Sequence, residues 1–398
     1  MSMTTWLVSS QLLAAGVAFV VNLLAASVLD PTGRGQLALT LQVGYLLAIL
    51  GMLGMERPFT ANVSGRQFNE TVSFLERLVR PGYWAGIIGL LLVLYGLGTE
   101  NYSFVMIGVL STIFVVSTMH MKIVRTAYIA SRTWRPFVFT GIASQVLLVA
   151  CCLLLTVLHV GAFEVWFAAY TVAGLVATVV ICTPRRVSPP VDSGQAKIGR
   201  TVRSQGLRLL PASLGNTAMV RSDRLLIPAL SSAAELGIYV VVATAIDMAT
   251  WPVQQWADSR LHAWKEAPPS KRMVSLMCGI ALIITVGLVA VIAFLLDYIV
   301  TQFLPKPYAA GMTLFLPLSV AAIFYSLSRL TQGVLISRGA GTAVSVIEGA
   351  GMAVSILAYL VLIPSLGALG AAYGSVLGYS VCFFVSCVMA IRQKSEAP

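Results

Sequence analysis

Charged residues interrupt one long apolar stretch of this chain, and their helical spacing would gather several of them on one face, as in a binding surface. Between Gly206 and Leu230 the sequence carries Arg221, Asp223 and Arg224 among leucine, isoleucine and valine. At about 100° per residue of helix, one quadrant holds Ser213, Thr217, Arg221 and Arg224. An arginine near the middle of a bilayer costs roughly 2.5 to 3.5 kcal/mol unless it faces protein or water. These guanidinium groups are therefore predicted to face a polar interior, where they can bind an anionic group.

A second polar seam follows in the next apolar stretch, on one helix face that holds Thr244, Asp247, Trp251, Gln254 and Asp258. Counting 1.5 Å per residue from the tip of the hairpin between the two stretches places Arg221 and Asp247 at a similar depth, about 14 to 15 Å. We therefore predict an ion pair between Arg221 and Asp247 beside a central cavity, with Asp223 and Arg224 nearer its outer mouth. The alternative is that Arg224 extends to water and the other charges form a structural bridge.

Glu348 is the other deep acid, roughly 9 Å along its apolar stretch by the same count. Together with Asp247 it is a candidate site for a proton or a cation. The alternative role of Glu348 is a hydrogen-bonded contact between helices, because intramembrane acids usually find a partner.

Four basic residues lie at the ends of apolar stretches on one side of the predicted membrane: Arg57, Lys122, Arg125 and Arg329. Guanidinium and ammonium groups bind phosphate oxygens through charge-assisted hydrogen bonds. These residues are therefore candidate ligands for a diphosphate. Their alternative role is to set the topology and to contact lipid headgroups.

The elements that must position these residues are apolar helices in a membrane. Hydrophobic residues make up 58% of the 398 positions and charged residues only 10%, which excludes an ordinary soluble protein. The net charge of +11 arises from basic residues between apolar runs, a pattern of short loops beside a membrane rather than of a nucleic-acid-binding surface. No catalytic motif is present, and the six cysteines and three histidines lack metal-ligand spacing, so neither an enzyme nor a metal or cofactor is predicted.

Hydropathy predicts twelve spans of about 20 residues, the length that crosses a hydrocarbon core of roughly 30 Å. They lie near residues 6 to 29, 36 to 56, 80 to 98, 102 to 121, 136 to 158, 162 to 183, 206 to 230, 236 to 256, 273 to 296, 308 to 328, 342 to 363 and 368 to 391. Of the 26 lysines and arginines, all but four then fall on one side; Arg34 and Lys306 lie opposite, and Arg221 and Arg224 lie within the seventh span. By the positive-inside rule, both termini are predicted to be cytoplasmic.

The spans divide into two equal sets. Residues 1–184 are predicted to form an N-terminal six-helix lobe, 185–205 a cytoplasmic linker rich in Pro, Ser and Arg, and 206–398 a C-terminal six-helix lobe. Weak matches at a nearly constant offset, such as Gly35 with Gly237, indicate an internal repeat. The predicted fold is an all-α membrane protein of twelve transmembrane helices in two lobes, which are related by a pseudo-two-fold axis along the membrane normal and enclose a central cavity.

Three segments of the chain resemble a known family: SVLDPTGRGQLAL after the first span, VRSDRLLIPALSSAAELGIYVVVATA across spans seven and eight, and LGALGAAYGSVLGYSV at the twelfth. They are similar to the oligosaccharide flippases of bacterial polysaccharide biosynthesis, within the multidrug, oligosaccharidyl-lipid and polysaccharide exporter superfamily. By position in the motif, Asp223 and Arg224 match the acidic and basic pair of that family. Peptidoglycan-precursor flippases of the same superfamily usually have two more spans and are less favoured.

The resemblance implies translocation of undecaprenyl-diphosphate-linked oligosaccharide across the bacterial cytoplasmic (inner) membrane by alternating access. It implies a cationic cavity for the diphosphate, coupling in many members to an ion gradient such as that of protons or sodium, and contacts with membrane lipids and polysaccharide-assembly membrane proteins. A drug/cation antiporter of the same superfamily is the alternative, and would need an apolar cavity lined by acids. A membrane glycan polymerase or ligase is a third alternative, although the longest outer connection, near residues 297–307, is short for such an enzyme.

Overall fold

The computed structural model describes residues 3–63, 67–131, 134–181 and 193–392, and these residues form helices without any β-strand. The α-helices, in chain order, are α1 (Met3–Val28), α2 (Pro31–Gly51), α3 (Glu56–Asn62), α4 (Phe68–Val79), α5 (Ile87–Gly98), α6 (Tyr102–Ala130), α7 (Trp134–Val157), α8 (Phe163–Val176), α9 (Ser193–Leu230), α10 (Ala233–Glu266), α11 (Lys271–Gln302), α12 (Phe315–Ser337), α13 (Gly341–Leu366) and α14 (Ala368–Arg392). Short 3-10 helices at Arg80–Gly86 and Lys306–Leu314 precede α5 and α12, and a π-helical turn at Ala177–Ile181 follows α8.

The apolar composition explains why these segments are helical, because a helix satisfies its own backbone hydrogen bonds where no water is present. Within the described ranges, seven segments are long and apolar enough to cross a membrane: Phe68–Gly98, Tyr102–Ala130, Ala233–Asp258, Lys271–Gln302, Lys306–Ser337, Gly341–Leu366 and Ala368–Ala390. Shorter apolar helices occupy Gly16–Val28, Gly141–Val157 and Phe163–Val179. The chain is thus an all-helical, multi-pass membrane protein, and the arrangement of twelve spans in two six-helix lobes stays a prediction.

The turn between α9 and α10 is fixed by a local cap. The Ser232 hydroxyl accepts a hydrogen bond from the backbone N–H of Glu235 at 3.2 Å, which satisfies one of the free donors at the start of α10. The Glu235 carboxylate in turn accepts a hydrogen bond from the backbone N–H of Ala368, the first residue of α14. This turn therefore holds the starts of α10 and α14 together and sets the register of the helices that carry the charged residues.

The chain divides into two compact units. Unit 1 comprises Met1–Leu24 and Thr40–Leu214, and unit 2 comprises Ala25–Leu39 and Gly215–Pro398. This division differs from the one predicted at the linker 185–205, because α9 is a single helix from Ser193 to Leu230 and the boundary falls inside it. The second half of the predicted linker is helical because Ile198, Val202 and Gly206 repeat at helical spacing and are wholly or partly buried.

Unit 1 has a core that joins α3, α4, α6 and the start of α9. Its buried side chains include Met55, Phe59, Val72, Leu75, Val79, Met119, Ile123 and Val202. Between α2 and α3 the chain turns through Leu53 and Gly54, whose φ angles are 51° and 69°. A Cβ atom on Gly54 would lie 2.5 Å from the carbonyl oxygen of Gly206, so both the backbone angle and the close approach to α9 require glycine there.

In unit 2 the two glycines that the repeat matched lie against each other. A side chain on Gly35 would collide with the carbonyl of Ala233, and one on Gly237 would collide with the carbonyl of Pro31. The Tyr308 hydroxyl also donates to a backbone carbonyl of the same α1–α2 hairpin, that of Leu29, at 3.0 Å. The turn of this hairpin, residues 29–35, is therefore tightly packed on the start of α10 and on the 3-10 helix before α12.

Glycines on α14 form a close-packed contact with α13. The spacing of Gly370, Gly374 and Gly378 is a doubled GxxxG, which is typical of tightly packed membrane helices. A Cβ atom on Gly370 would collide with the carbonyl of Leu362, and one on Gly378 with the hydroxyl of Ser355.

We expect Gly370→Ala to destabilise the protein by about 1 to 3 kcal/mol, because overpacking against a backbone carbonyl cannot be relieved by a rotamer change. Gly279→Ala on α11 is the matched control, because a Cβ atom there would meet nothing within 4 Å. The measurement is the thermal unfolding midpoint of both variants in one detergent. Equal midpoints for the two variants would show that the α13–α14 contact does not depend on glycine.

Candidate functional site

Asp223 on α9 is a buried carboxylate with two donors. The residue is only 7% exposed, and its carboxylate accepts a hydrogen bond from the Tyr239 hydroxyl of α10 at 2.5 Å. The backbone N–H of Arg224 donates to its other oxygen at 2.7 Å. A buried charge is tolerated only when it is paired and hydrogen-bonded, so these donors hold Asp223 in place.

Arg224 makes the central ion pair of the site. Its Nη2 atom lies 2.8 Å from Oδ2 of Asp247 on α10, and the two side chains are 12% and 44% exposed. The predicted partner of Asp247 was Arg221, and that pairing is wrong because the structure pairs Asp247 with Arg224. Arg221 lies within electrostatic range of Arg224, Asp247 and Asp223, so all four predicted charges form one cluster.

The two side chains of the ion pair lean in opposite directions along the α9–α10 hairpin. Helical side chains lean toward the N-terminus of their own helix. On α9 that direction leads away from the hairpin tip, and on α10 it leads toward the tip. Arg224 and Asp247 therefore lean toward each other, and the contact between α9 and α10 brings their charged groups to 2.8 Å.

The ion pair lies at a partly open cavity of about 40 Å³ within unit 2. Its lining comprises Val220, Asp223, Arg224, Tyr239, Ala243, Ile246, Asp247, Thr250, Leu318, Ala321, Ala322, Tyr325, Ser375 and Tyr379. With Arg221 included, two arginines face two aspartates, so the charges in this described cluster balance. The predicted cationic excess is therefore not seen here, because burial favours basic groups that are paired with acids.

Three tyrosines line the cavity, Tyr239, Tyr325 and Tyr379, and none of them is among the site residues predicted from the sequence. The rings of Tyr325 and Tyr379 lie with centroids 5.0 Å apart, and the hydroxyls of Tyr359 and Ser375 are 2.8 Å apart. The signal available in the sequence was the tyrosine hydroxyl itself, which needs a polar partner when it is buried in an apolar span.

Arg329 and Glu348 form a second ion pair in unit 2. The Nη1 atom of Arg329 on α12 lies 3.1 Å from Oε1 of Glu348 on α13, and both side chains are partly buried. The Tyr325 hydroxyl is under the electrostatic influence of both this pair and Asp247. The structure thus places Glu348 in a contact between helices.

The remaining predicted basic residues belong to unit 1. Lys122 Nζ pairs with Glu56 Oε1 at 3.1 Å, and Arg125 is exposed on the same helix, α6. Arg57 lies in the first turn of α3, and its side chain falls outside the described part of the structure. Glu56 was missed, although an acid in the first turn of a short helix beside a basic residue is a recognisable signal. Across the described residues, no group of three or more His, Cys, Asp or Glu side chains could hold a metal ion.

The helical arrangement is similar to the fold of solved transporters of the MOP superfamily. The structure of the lipid II flippase MurJ in an inward closed conformation matches 96% of this chain and 87% of its own, with a TM-score of 0.67 at 10% sequence identity. A MATE family multidrug resistance transporter in an inward-facing conformation matches 94% of this chain and 93% of its own, with a TM-score of 0.65 at 12% identity.

A third neighbour is a MOP superfamily transporter from Pyrococcus furiosus, described as having a binding pocket of reversed polarity. It matches 98% of this chain and 94% of its own, with a TM-score of 0.52 at 13% identity. The sequence matches no protein-family model and no curated protein. At these identities the likeness establishes the fold, and the chemistry of the cavity has to be argued from its own residues.

Proposed function

We propose that this protein is a flippase that moves undecaprenyl-diphosphate-linked oligosaccharide across the bacterial cytoplasmic membrane by alternating access, for the export of surface polysaccharide. The observation that carries the proposal is the Arg224–Asp247 ion pair, a largely buried guanidinium held by a partly exposed carboxylate at a partly open cavity. The motif that contains Arg224 resembles that of the oligosaccharide flippases, and a lipid II flippase is among the structural neighbours.

Asp247 is the part of the pair that can leave. Its side chain is 44% exposed, whereas that of Arg224 is 12% exposed, so the carboxylate can move into water while the guanidinium stays in the cavity. Diphosphate oxygens can then accept the hydrogen bonds that the carboxylate gave up, because both are anionic acceptors with similar geometry. Arg221 adds a second positive charge near the same position.

This exchange fits reversible transport. A bare cavity of buried arginines would bind a diphosphate tightly and release it slowly. Replacing one anion with another keeps the number of charge pairs constant, so the loaded and empty states can differ by only a few kcal/mol. The glycan would cross in the polar cavity while the prenyl chain stays in lipid, and no covalent bond changes.

The same exchange provides a place for ion coupling. When the diphosphate occupies Arg224, the free Asp247 carboxylate becomes available to a proton or a sodium ion. Glu348 is a second coupling candidate that would first have to leave Arg329. Arg57, Lys122, Arg125 and Arg329 stay candidates for receiving the diphosphate on the cytoplasmic side, and membrane lipids and polysaccharide-assembly membrane proteins are the expected partners.

A drug/cation antiporter is the second candidate, and one observation favours it. Asp223 and Asp247 both line the cavity, and the nearby charges balance, so an organic cation could replace a guanidinium as the partner of Asp247. MATE multidrug resistance transporters are also among the structural neighbours.

Depletion of the protein in its own host separates the two candidates. We expect lipid-linked glycan to accumulate on the cytoplasmic face of the membrane, as measured by its accessibility to an enzyme added from either side of oriented vesicles. Unchanged sidedness of the glycan, combined with increased retention of cationic dyes by the depleted cells, would reject the flippase and support the antiporter.

A further inference from the structure

Two helical segments of unit 1 carry rows of exposed basic residues outside the cavity. Arg77 and Arg80 lie at the end of α4 and the start of the following 3-10 helix, and Lys197, Arg200 and Arg203 lie on the first part of α9. All five side chains belong to exposed residues. We call this set the basic row.

The two halves of the basic row are held together by packing. Gly199 of α9 faces α4 so closely that a Cβ atom there would lie 3.2 Å from Leu78 and 3.6 Å from Phe74. Val202 is fully buried in the same core as Val72 of α4. The spacing between the two sets of cations is therefore set by a rigid contact.

Each half of the row is followed along its helix by exposed apolar residues. Lys197, Arg200 and Arg203 are three residues apart and lie on one flank of α9, and the exposed Leu207 comes next on that flank. After Arg80, the exposed apolar residues include Trp84 and Ile87. Cations above an exposed tryptophan and aliphatic residues are typical of the boundary between headgroups and acyl chains.

We propose that the basic row binds the anionic headgroups of phospholipids in the adjoining membrane leaflet, which the distribution of charge along the chain predicts to be the cytoplasmic one. Such a lipid presents a phosphate to the cations and acyl chains to Leu207 and Trp84, so one molecule satisfies both parts of the surface. A soluble anion or a nucleic acid would leave these apolar side chains in water. The basic residues also outnumber Glu70 and Glu76, the acids of α4. This site does not depend on the identity of the transported molecule.

The test compares two charge-matched variants reconstituted in mixed phosphatidylcholine and phosphatidylglycerol. K197Q/R200Q/R203Q removes the α9 half of the row, and R260Q/K271Q/R272Q removes three exposed basic residues of unit 2. Native mass spectrometry then counts the lipids of each type that stay bound to the protein. We expect the first variant to lose about tenfold or more of its preference for phosphatidylglycerol, because each cation near an anionic surface contributes to binding. The second variant should keep that preference. Equal losses in both variants would overturn the proposal.

The unaltered protein provides an independent measurement that needs no substitution. Bound phosphatidylglycerol should decrease when the salt concentration is raised, because exposed charges are screened beyond about 3 Å at 1 M salt. Inorganic pyrophosphate, added at constant ionic strength, should not displace the lipid. Displacement by pyrophosphate would overturn the lipid assignment and identify the basic row as a site for a soluble diphosphate.

Discussion

Replacing Arg224 with glutamine is expected to reduce flipping of lipid-linked oligosaccharide by about 30-fold or more, because loss of one partner from a buried charge pair costs roughly 2 to 5 kcal/mol. Glutamine is shorter than arginine; it keeps a polar N–H donor but removes the charge that pairs with Asp247. Arg224→Lys should retain part of the activity, since an ammonium keeps the charge but loses the planar fork that binds two phosphate oxygens. The measurement is the rate of translocation of a labelled lipid-linked oligosaccharide in proteoliposomes.

Two further variants show whether the effect arises at the ion pair. Arg260→Gln, an exposed arginine at the other end of α10, should leave the rate unchanged. Asp247→Asn removes the competing carboxylate, so we expect tighter binding of the lipid-linked substrate together with slower turnover. If Asp247→Asn turns over at the normal rate, release does not depend on the carboxylate and the exchange mechanism is wrong.

Asp223→Ala is expected to have the largest effect on folding and to lower the free energy of unfolding by about 3 to 5 kcal/mol. The reason is that breaking a buried charge network leaves uncompensated charge in the interior. Without Asp223, Arg221 and Arg224 share the single carboxylate of Asp247, and the buried Tyr239 hydroxyl loses its acceptor. Tyr239→Phe should destabilise less, by about 1.5 to 3 kcal/mol, since it removes one hydrogen bond to a charged group. Thermal unfolding in a single detergent measures both losses.

Asp258→Ala is the matched control for this series, because Asp258 is an exposed acid on the same helix as Tyr239. Its unfolding midpoint should stay within experimental error of that of the unaltered protein. The double variant Asp223→Ala/Tyr239→Phe should be no less stable than Asp223→Ala alone, since the hydroxyl no longer has an acceptor to lose. Strictly additive losses would mean that the 2.5 Å hydrogen bond does not couple the two residues.

The cluster of charges was predictable because its members lie on periodic faces of two helices that are adjacent in the chain. Arg221 and Arg224 are one turn apart on α9, and Asp247 lies on the polar face of the next helix. The cost of an arginine in hydrocarbon then requires that these residues face each other or water. Because only a short turn joins the two helices, the spacing of these residues in the sequence was sufficient to predict the cluster.

The second ion pair was not predictable in the same way. Arg329 and Glu348 are on consecutive helices, but they were assigned to different depths and different roles. Their contact depends on how α12 and α13 cross and on the reach of a long arginine side chain, and neither follows from a count of residues. The contact between Tyr325 and Tyr379 at the cavity was unpredictable for the same reason, because these two residues lie on helices that are distant in the sequence.

The sequence by itself determined the all-helical membrane class, the polar seams and the set of charged residues that form the cluster in unit 2, because hydropathy and helical periodicity are local properties. The tertiary structure decided which arginine binds Asp247, where Glu348 finds its partner and where unit 1 ends within α9. These outcomes depend on the contacts between helices. A residue's position along its own helix fixes its angle on that helix, whereas its partner is chosen by the packing of the neighbouring helices.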